Sequence, residues 1–183
     1  MSETAEAWGL PQDREAAEAQ MGRPLQGRSR VASRCHLKLP VVLEVHPDWD
    51  GRPFPTLYYL TCPLARIRVS RLEAAGGVRE WTARVAEEPA LAKSLAEAHD
   101  DYAARRESLL EPEHPLHGLL SGGVGGGRGV KCLHAHYAHA RVGGANPIGE
   151  AVLSGVEPLD CRGPCVADGA SVAAWREPGA PRS

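Results

Sequence analysis

One stretch of this chain is written for sheet, and most of the rest for helix. Residues 39–47, LPVVLEVHP, have a β-branched core and stop at a proline. Residues 48–55, DWDGRPFP, are a turn rich in Asp, Gly and Pro. Residues 56–62, TLYYLTC, read as a second strand, so 39–62 forms a small antiparallel hairpin with a long loop. Pro63 then suits the first position of a helix, where its missing N–H is not needed. Helical spacing follows: Leu64, Ile67, Leu72 and Ala75 recur on one face until Gly76-Gly77 stops them. Further helices are predicted over 13–21, 78–86, 89–110 and 130–142. In the longest, Leu91, Leu95, Ala98, Tyr102 and Leu109 make a stripe, and Asp101 and Arg105 are spaced as an i,i+4 ion pair. The fold class is therefore α+β, a mostly helical single domain. At 183 residues the chain can bury a core without a covalent staple. Phe54 is the only phenylalanine, so that core rests on Leu, Val and Ala.

The charge balance excludes some classes of function. A net charge of −2 does not suit a surface that coats nucleic acid. No stretch approaches the roughly 18 apolar residues of a membrane span. The N-terminal MSETAEAWGL is acidic and lacks the apolar segment of a signal peptide. These readings place the protein in the cytoplasm, where structural disulfides are rare. Its five cysteines, Cys35, Cys62, Cys132, Cys161 and Cys165, are then buried hydrophobes, metal ligands or reactive thiols. Arg23, Arg28, Arg30, Arg34 and Lys38 form an acid-free run that reads as an anion-binding strip or a solvated arm.

Two phosphate-binding patterns can be tested. SGGVGGGRGVKC satisfies neither the P-loop nor GxGxxG, so 111–128 reads as a connector. Cys62 and Arg68 have the Cys-x5-Arg spacing of cysteine phosphatases, but the residues between them include no glycine to wrap a phosphate. Near the C-terminal third, GVKCLHAHYAHARVGGANPIG is more informative. On a helix Cys132, His136 and His139 share one face, with His134 elsewhere. Cysteine and histidine four residues apart can share zinc, yet three residues do not close a structural site.

Several segments read together resemble a known family: VASRC, LPVVLEV, DGRPFPTLYYLTCP, SRLEAAGG, AHDDYAARR, GVKCLHAHYAHARVGG and NPIG. In this order and spacing they are similar to the bacterial domain-of-unknown-function family numbered 501, common in actinobacteria. The resemblance covers about residues 20–167, which leaves 1–19 and 168–183 as flexible ends. It matches Cys35, Cys62, Cys132, His134 and His139, together with Asn146, Pro147 and Gly149, and less firmly Cys165. His136 and Cys161 fall where the pattern is apolar, which favours Cys132 with His139. CHLKLP departs from the family's usual Cys-Pro-x-Gly-x-Pro. Genomic neighbours of the family imply a division-linked partner.

The matched thiols fall in separate segments, as ligands of a zinc ion or an iron–sulfur cluster would. The expected metal set is Cys35, Cys62, Cys132 and His139, with Cys165 and His134 in reserve. A thiol opening a helix has a lowered pKa. One alternative is therefore a metal-independent enzyme with Cys132 as nucleophile, His134 or His139 as base, and Arg34, Arg71 or Lys131 holding an anionic substrate. Another is a non-enzymatic interaction module for division or envelope proteins.

Overall fold

The computed structural model describes residues 8–115, 117–118 and 130–179. The predicted hairpin forms, and it belongs to a three-stranded antiparallel sheet. Strand β1 (Ser29–Arg34) pairs with β2 (Pro40–Val45), between the turns where two short ribbon strands, β3 (Asp48–Trp49) and β4 (Arg52–Pro53), fill the loop, and β2 pairs with β5 (Tyr58–Leu60). Val42 faces Leu60, Leu43 faces Tyr59 and Glu44 faces Tyr58. β2 is the central strand, and Val41, Val42 and Leu43 are buried on both its faces.

β1 is a correction to the reading of 23–38 as an arm or an anion-binding strip. SRVASR alternates half-buried and exposed positions as an edge strand does. Its cations are engaged. Asp13 grips Arg34 through two bonds of 2.8 and 2.6 Å, Arg30 pairs with Glu44, and Arg28 lies against His46 and the Trp8 ring.

The helices are α1 (Pro11–Met21), α2 (Pro63–Ala74), α3 (Gly77–Glu87), α4 (Pro89–Glu107), α5 (Leu133–Arg141) and α6 (Pro147–Val156). Four of them begin with proline, each supplying a φ already suited to the first turn. α5 starts at Leu133, not at 130, because residues 130–132 are extended. Helix α6 was not read from the sequence. The Asn146 side chain caps it by accepting from the Gly149 amide at 2.8 Å. A final two-stranded ribbon, β6 (Val166–Ala167) and β7 (Ala170–Ser171), lies beside α1. Packing extends outside 20–167: Trp8 is buried edge-on against His46, and Trp175 packs on the main core. The glycine-rich connector at 122–127 lies outside the described residues.

α5 occupies the centre, packed on α6, α2 and β5. Leu133, Tyr137 and Ala138 on α5 meet Leu57, Leu64, Val69, Ile148, Val152 and Val156 in one cluster. The expected stripe of α4 is buried at Leu95, Ala98 and Tyr102, and the Asp101–Arg105 pair forms at 2.9 Å. The Tyr102 hydroxyl enters the sheet, accepting from the Leu57 amide at 2.6 Å and the Tyr58 amide at 3.4 Å. Tyr102→Phe strands these buried donors. We expect it to lower the unfolding free energy by about 2 kcal/mol in urea titrations; a loss under roughly 0.5 kcal/mol would contradict that role.

Candidate functional site

The sequence-predicted ligands fall in separate places. Cys62 is buried in the main core, against which Cys35 packs, and Cys165 accepts from Gln20 at 3.5 Å. Cys132 and His134 open a cleft at the start of α5. His139 is sealed inside. Among the described residues, no three His, Cys, Asp or Glu side chains are placed to hold a metal ion.

His139 is fully buried, stacked on Tyr58 and edge-on to Tyr102. Its Nε2 donates to Asp101 Oδ2 at 2.9 Å. Because Asn146 Oδ1 accepts from Gly149, the Asn146 amide nitrogen is the donor on the other side. It serves Nδ1 of His136 at 3.0 Å and Nδ1 of His139 at 3.3 Å. Both ring nitrogens of His139 are thus engaged by protein. This network ties α4, α5 and α6 together and is architecture.

The cleft has a different character. α2 places Ser70 and Glu73 at i,i+3 on one face, toward the first turn of α5. Glu73 Oε1 accepts from the Leu133 amide at 2.6 Å, supplying the acceptor that the unoccupied start of α5 requires. The same oxygen stands 3.1 Å from His134 Nδ1, and His134 Nε2 stands 3.3 Å from Ser70 Oγ. A carboxylate on Nδ1 fixes that nitrogen as the donor and leaves Nε2 with the basic lone pair. His134 forms the wall between two hollows of about 760 and 570 Å³. Arg66 lines both; Lys131, Cys132 and Tyr59 line the smaller. Arg66 and Lys131 are exposed, and neither is in an ion pair with a described residue. Arg71, by contrast, is taken up by Glu177 through bonds of 2.6 and 2.7 Å.

Cys132 departs from the expectation of a lowered pKa. The His134 and Ala135 amides and Lys131 do pull its thiol down, but burial, with help from Glu73, pushes it up and wins. It lines the cleft as a half-buried thiol whose ionisation burial disfavours.

A family model described as a protein of unknown function (DUF501) matches residues 31–154, well over half the chain. The chain belongs to the DUF501 family. No curated protein and no solved structure matches it. The DUF501 region runs from β1 through α6 and contains every residue of the cleft, whereas Cys161 and Cys165 lie beyond it. Ser70, Glu73 and Arg66 were missed from sequence. The signal available was a serine and a glutamate three residues apart on a predicted helix; the histidine they meet is about sixty positions away. No described helix is long and apolar enough to cross a membrane.

Proposed function

We propose that this protein binds an anionic small molecule in the α2–α5 cleft and performs acid–base chemistry on it through His134, within the cytoplasm. The observation that carries this reading is the Glu73–His134–Ser70 relay opening between Arg66 and Lys131, neither of which is in an ion pair with a described residue. Glu73 orients the imidazole and stabilises it when protonated. Nε2 takes a proton from the Ser70 hydroxyl, or from a substrate hydroxyl in its place, and returns it. Arg66 and Lys131 hold the anion and offset negative charge that develops on it. This is the metal-independent enzyme of the sequence reading with three changes: the basic nitrogen faces a serine, not Cys132; His139 has no part; and Arg66 joins Lys131 in place of Arg34 and Arg71, which are taken up by Asp13 and Glu177. Five free thiols and no disulfide accord with a reducing compartment.

Inorganic phosphate is a direct probe. Titration followed by NMR of the imidazole carbons should move His134 and leave the buried His136 and His139 unmoved. Arg66→Gln should weaken phosphate binding about tenfold, the loss of one charge-assisted contact. If phosphate shifts no His134 signal, or binds Arg66→Gln as tightly as the wild type, the reading fails.

A further inference from the structure

The larger hollow of the cleft has room and charge for more than one anion. It runs along α2 from Pro63 to Ala74, with Arg66, Ser70 and Arg71 between them and His134 as its wall. Two of its described lining residues are arginines, and none is an acid. Arg66 and Arg71 are five residues apart, about 7.5 Å along the helix axis. At about 760 Å³ the hollow has the size of a small-molecule site. A phosphate held by Arg66 and Lys131 leaves most of that space, and Arg71, unused.

The acid that meets Arg71 comes from the far end of the chain. Arg71 Nη1 and Nη2 donate to Glu177 Oε1 and Oε2 at 2.6 and 2.7 Å, the forked geometry in which an arginine takes up a carboxylate. An anchored segment carries Glu177 there. Trp175 packs on the main core, and its amide donates to the Val172 carbonyl at 2.9 Å. The Val172 amide in turn donates to the Cys165 carbonyl at 3.0 Å. The Glu177 side chain is 12% exposed, whereas that of Arg71 is 65% exposed. The guanidinium is therefore open to a molecule arriving from solvent, although it already holds a carboxylate. An ion pair this exposed is weak, so a second carboxylate displaces Glu177 at little cost.

We infer that the cleft takes a small molecule with two anionic groups, a phosphorylated carboxylic acid, and that Glu177 stands on Arg71 in place of the substrate's carboxylate. The inference rests on the reading of the cleft as an anion site. The phosphate meets Arg66 and Lys131 beside Ser70 and His134. The carboxylate meets Arg71, and the tail gives way to it. A molecule with one anion leaves the tail in place; one with two displaces it. Arg71 thus regains the anion-holding role expected from sequence, at a second position in the cleft.

The test uses the full chain and two probes, glycerol 3-phosphate and 3-phosphoglycerate, which differ in having a hydroxymethyl group or a carboxylate at one end. Titrations are followed by NMR of the His134 imidazole carbons and of the Glu177 backbone amide. Both probes should move His134. In the wild type 3-phosphoglycerate should move the Glu177 amide and glycerol 3-phosphate should not, a comparison that needs no variant. Glu177→Gln should bind 3-phosphoglycerate about two- to fivefold more tightly than the wild type, the range an exposed ion pair spans, with its affinity for glycerol 3-phosphate unchanged. In an Arg71→Gln background the same substitution should change neither affinity, because the pair it releases is already gone. A Glu177 amide that 3-phosphoglycerate leaves unmoved, or a gain from Glu177→Gln that persists without Arg71, would overturn this inference while glycerol 3-phosphate still moves His134 and the anion site stands. If neither probe moves His134 in the wild type or in Glu177→Gln, the reading of the cleft falls and this inference falls with it.

Discussion

Gly149→Ala will lower the unfolding free energy by about 4 kcal/mol, a large part of the stability of a domain this size. Gly149 sits in the first turn of α6 where that helix crosses α5 most closely. A β-carbon there would stand 2.2 Å from the His136 carbonyl oxygen and 2.8 Å from the Ala140 β-carbon. The first obstacle is backbone, so no rotamer change relieves it. α6 must retreat by about 1 Å to restore ordinary contact, and interiors packed at crystal density do not absorb such a shift locally. The retreat also draws Asn146 away from His136 and His139, since Asn146 caps the same turn. Overpacking of roughly 1–3 kcal/mol and hydrogen bonds worth about 1 kcal/mol each sum to the stated loss. Gly155 on the same helix is the control, because nothing lies within 4 Å of the position its β-carbon would take. Gly155→Ala should be neutral or stabilising by less than about 1 kcal/mol, as helix propensity alone dictates. Urea unfolding of the two variants decides the matter. Equal effects would mean that the α5–α6 contact is looser than its geometry.

Much of the fold was legible where a local rule acted alone. LPVVLEV and TLYYLTC form their hairpin because β-branched and aromatic residues flank an Asp-Gly-Pro turn. Pro63 and Pro89 mark true helix starts for the same local reason. What escaped depended on partners far away in the chain. SRVASR has two adjacent apolar residues flanked by two serines and two arginines; it is a strand only because β2 offers it an edge to pair with. Asn146-Pro147 carries a cap-and-proline signature for α6, but two glycines within PIGEAVLSGV lower its helix propensity. Those glycines have opposite causes, a helix crossing at Gly149 and open space at Gly155.

The cleft shows the same division more sharply. His134 was recognised as a residue of interest, yet its role depends on Glu73 and Ser70 across the α2–α5 contact. His139 lay on the cysteine's face by helical arithmetic, but burial against Tyr58 and Tyr102 gives it to Asp101. Helical spacing says which side chains point together. It does not say whether they point to water or to the core.

The buried imidazoles make the fold acid-labile in a window that carboxylates do not explain. His136 is 1% exposed, and burial, joined by the neighbouring His99 and His139, lowers its pKa to about 4, while the Asn146 hydrogen bond opposes the shift. Asp101, Arg105, Tyr58 and Tyr102 are the further titratable groups against His139. His139 and His99 are lowered in the same direction, chiefly by burial. In the unfolded chain a histidine titrates near 6.5. Between about 4 and 6.5 the unfolded state therefore binds more protons than the folded one, so stability rises with pH across that window and falls on acidification. His136 is fully neutral in both states above it and contributes no loss there. By pH 5 it alone should remove about 2 kcal/mol, and about 3 kcal/mol once the pH passes below its folded value. Asp and Glu of ordinary pKa titrate mostly below pH 5, so urea unfolding between pH 7.5 and 5 isolates the histidine contribution. The wild type should lose at least about 2 kcal/mol over that range, and His136→Gln, which keeps a hydrogen-bonding side chain but cannot be protonated, should lose correspondingly less. A stability that stays level from pH 7.5 to 5 would show that water reaches His136, and that the Asn146 network is not the sealed strut between α5 and α6.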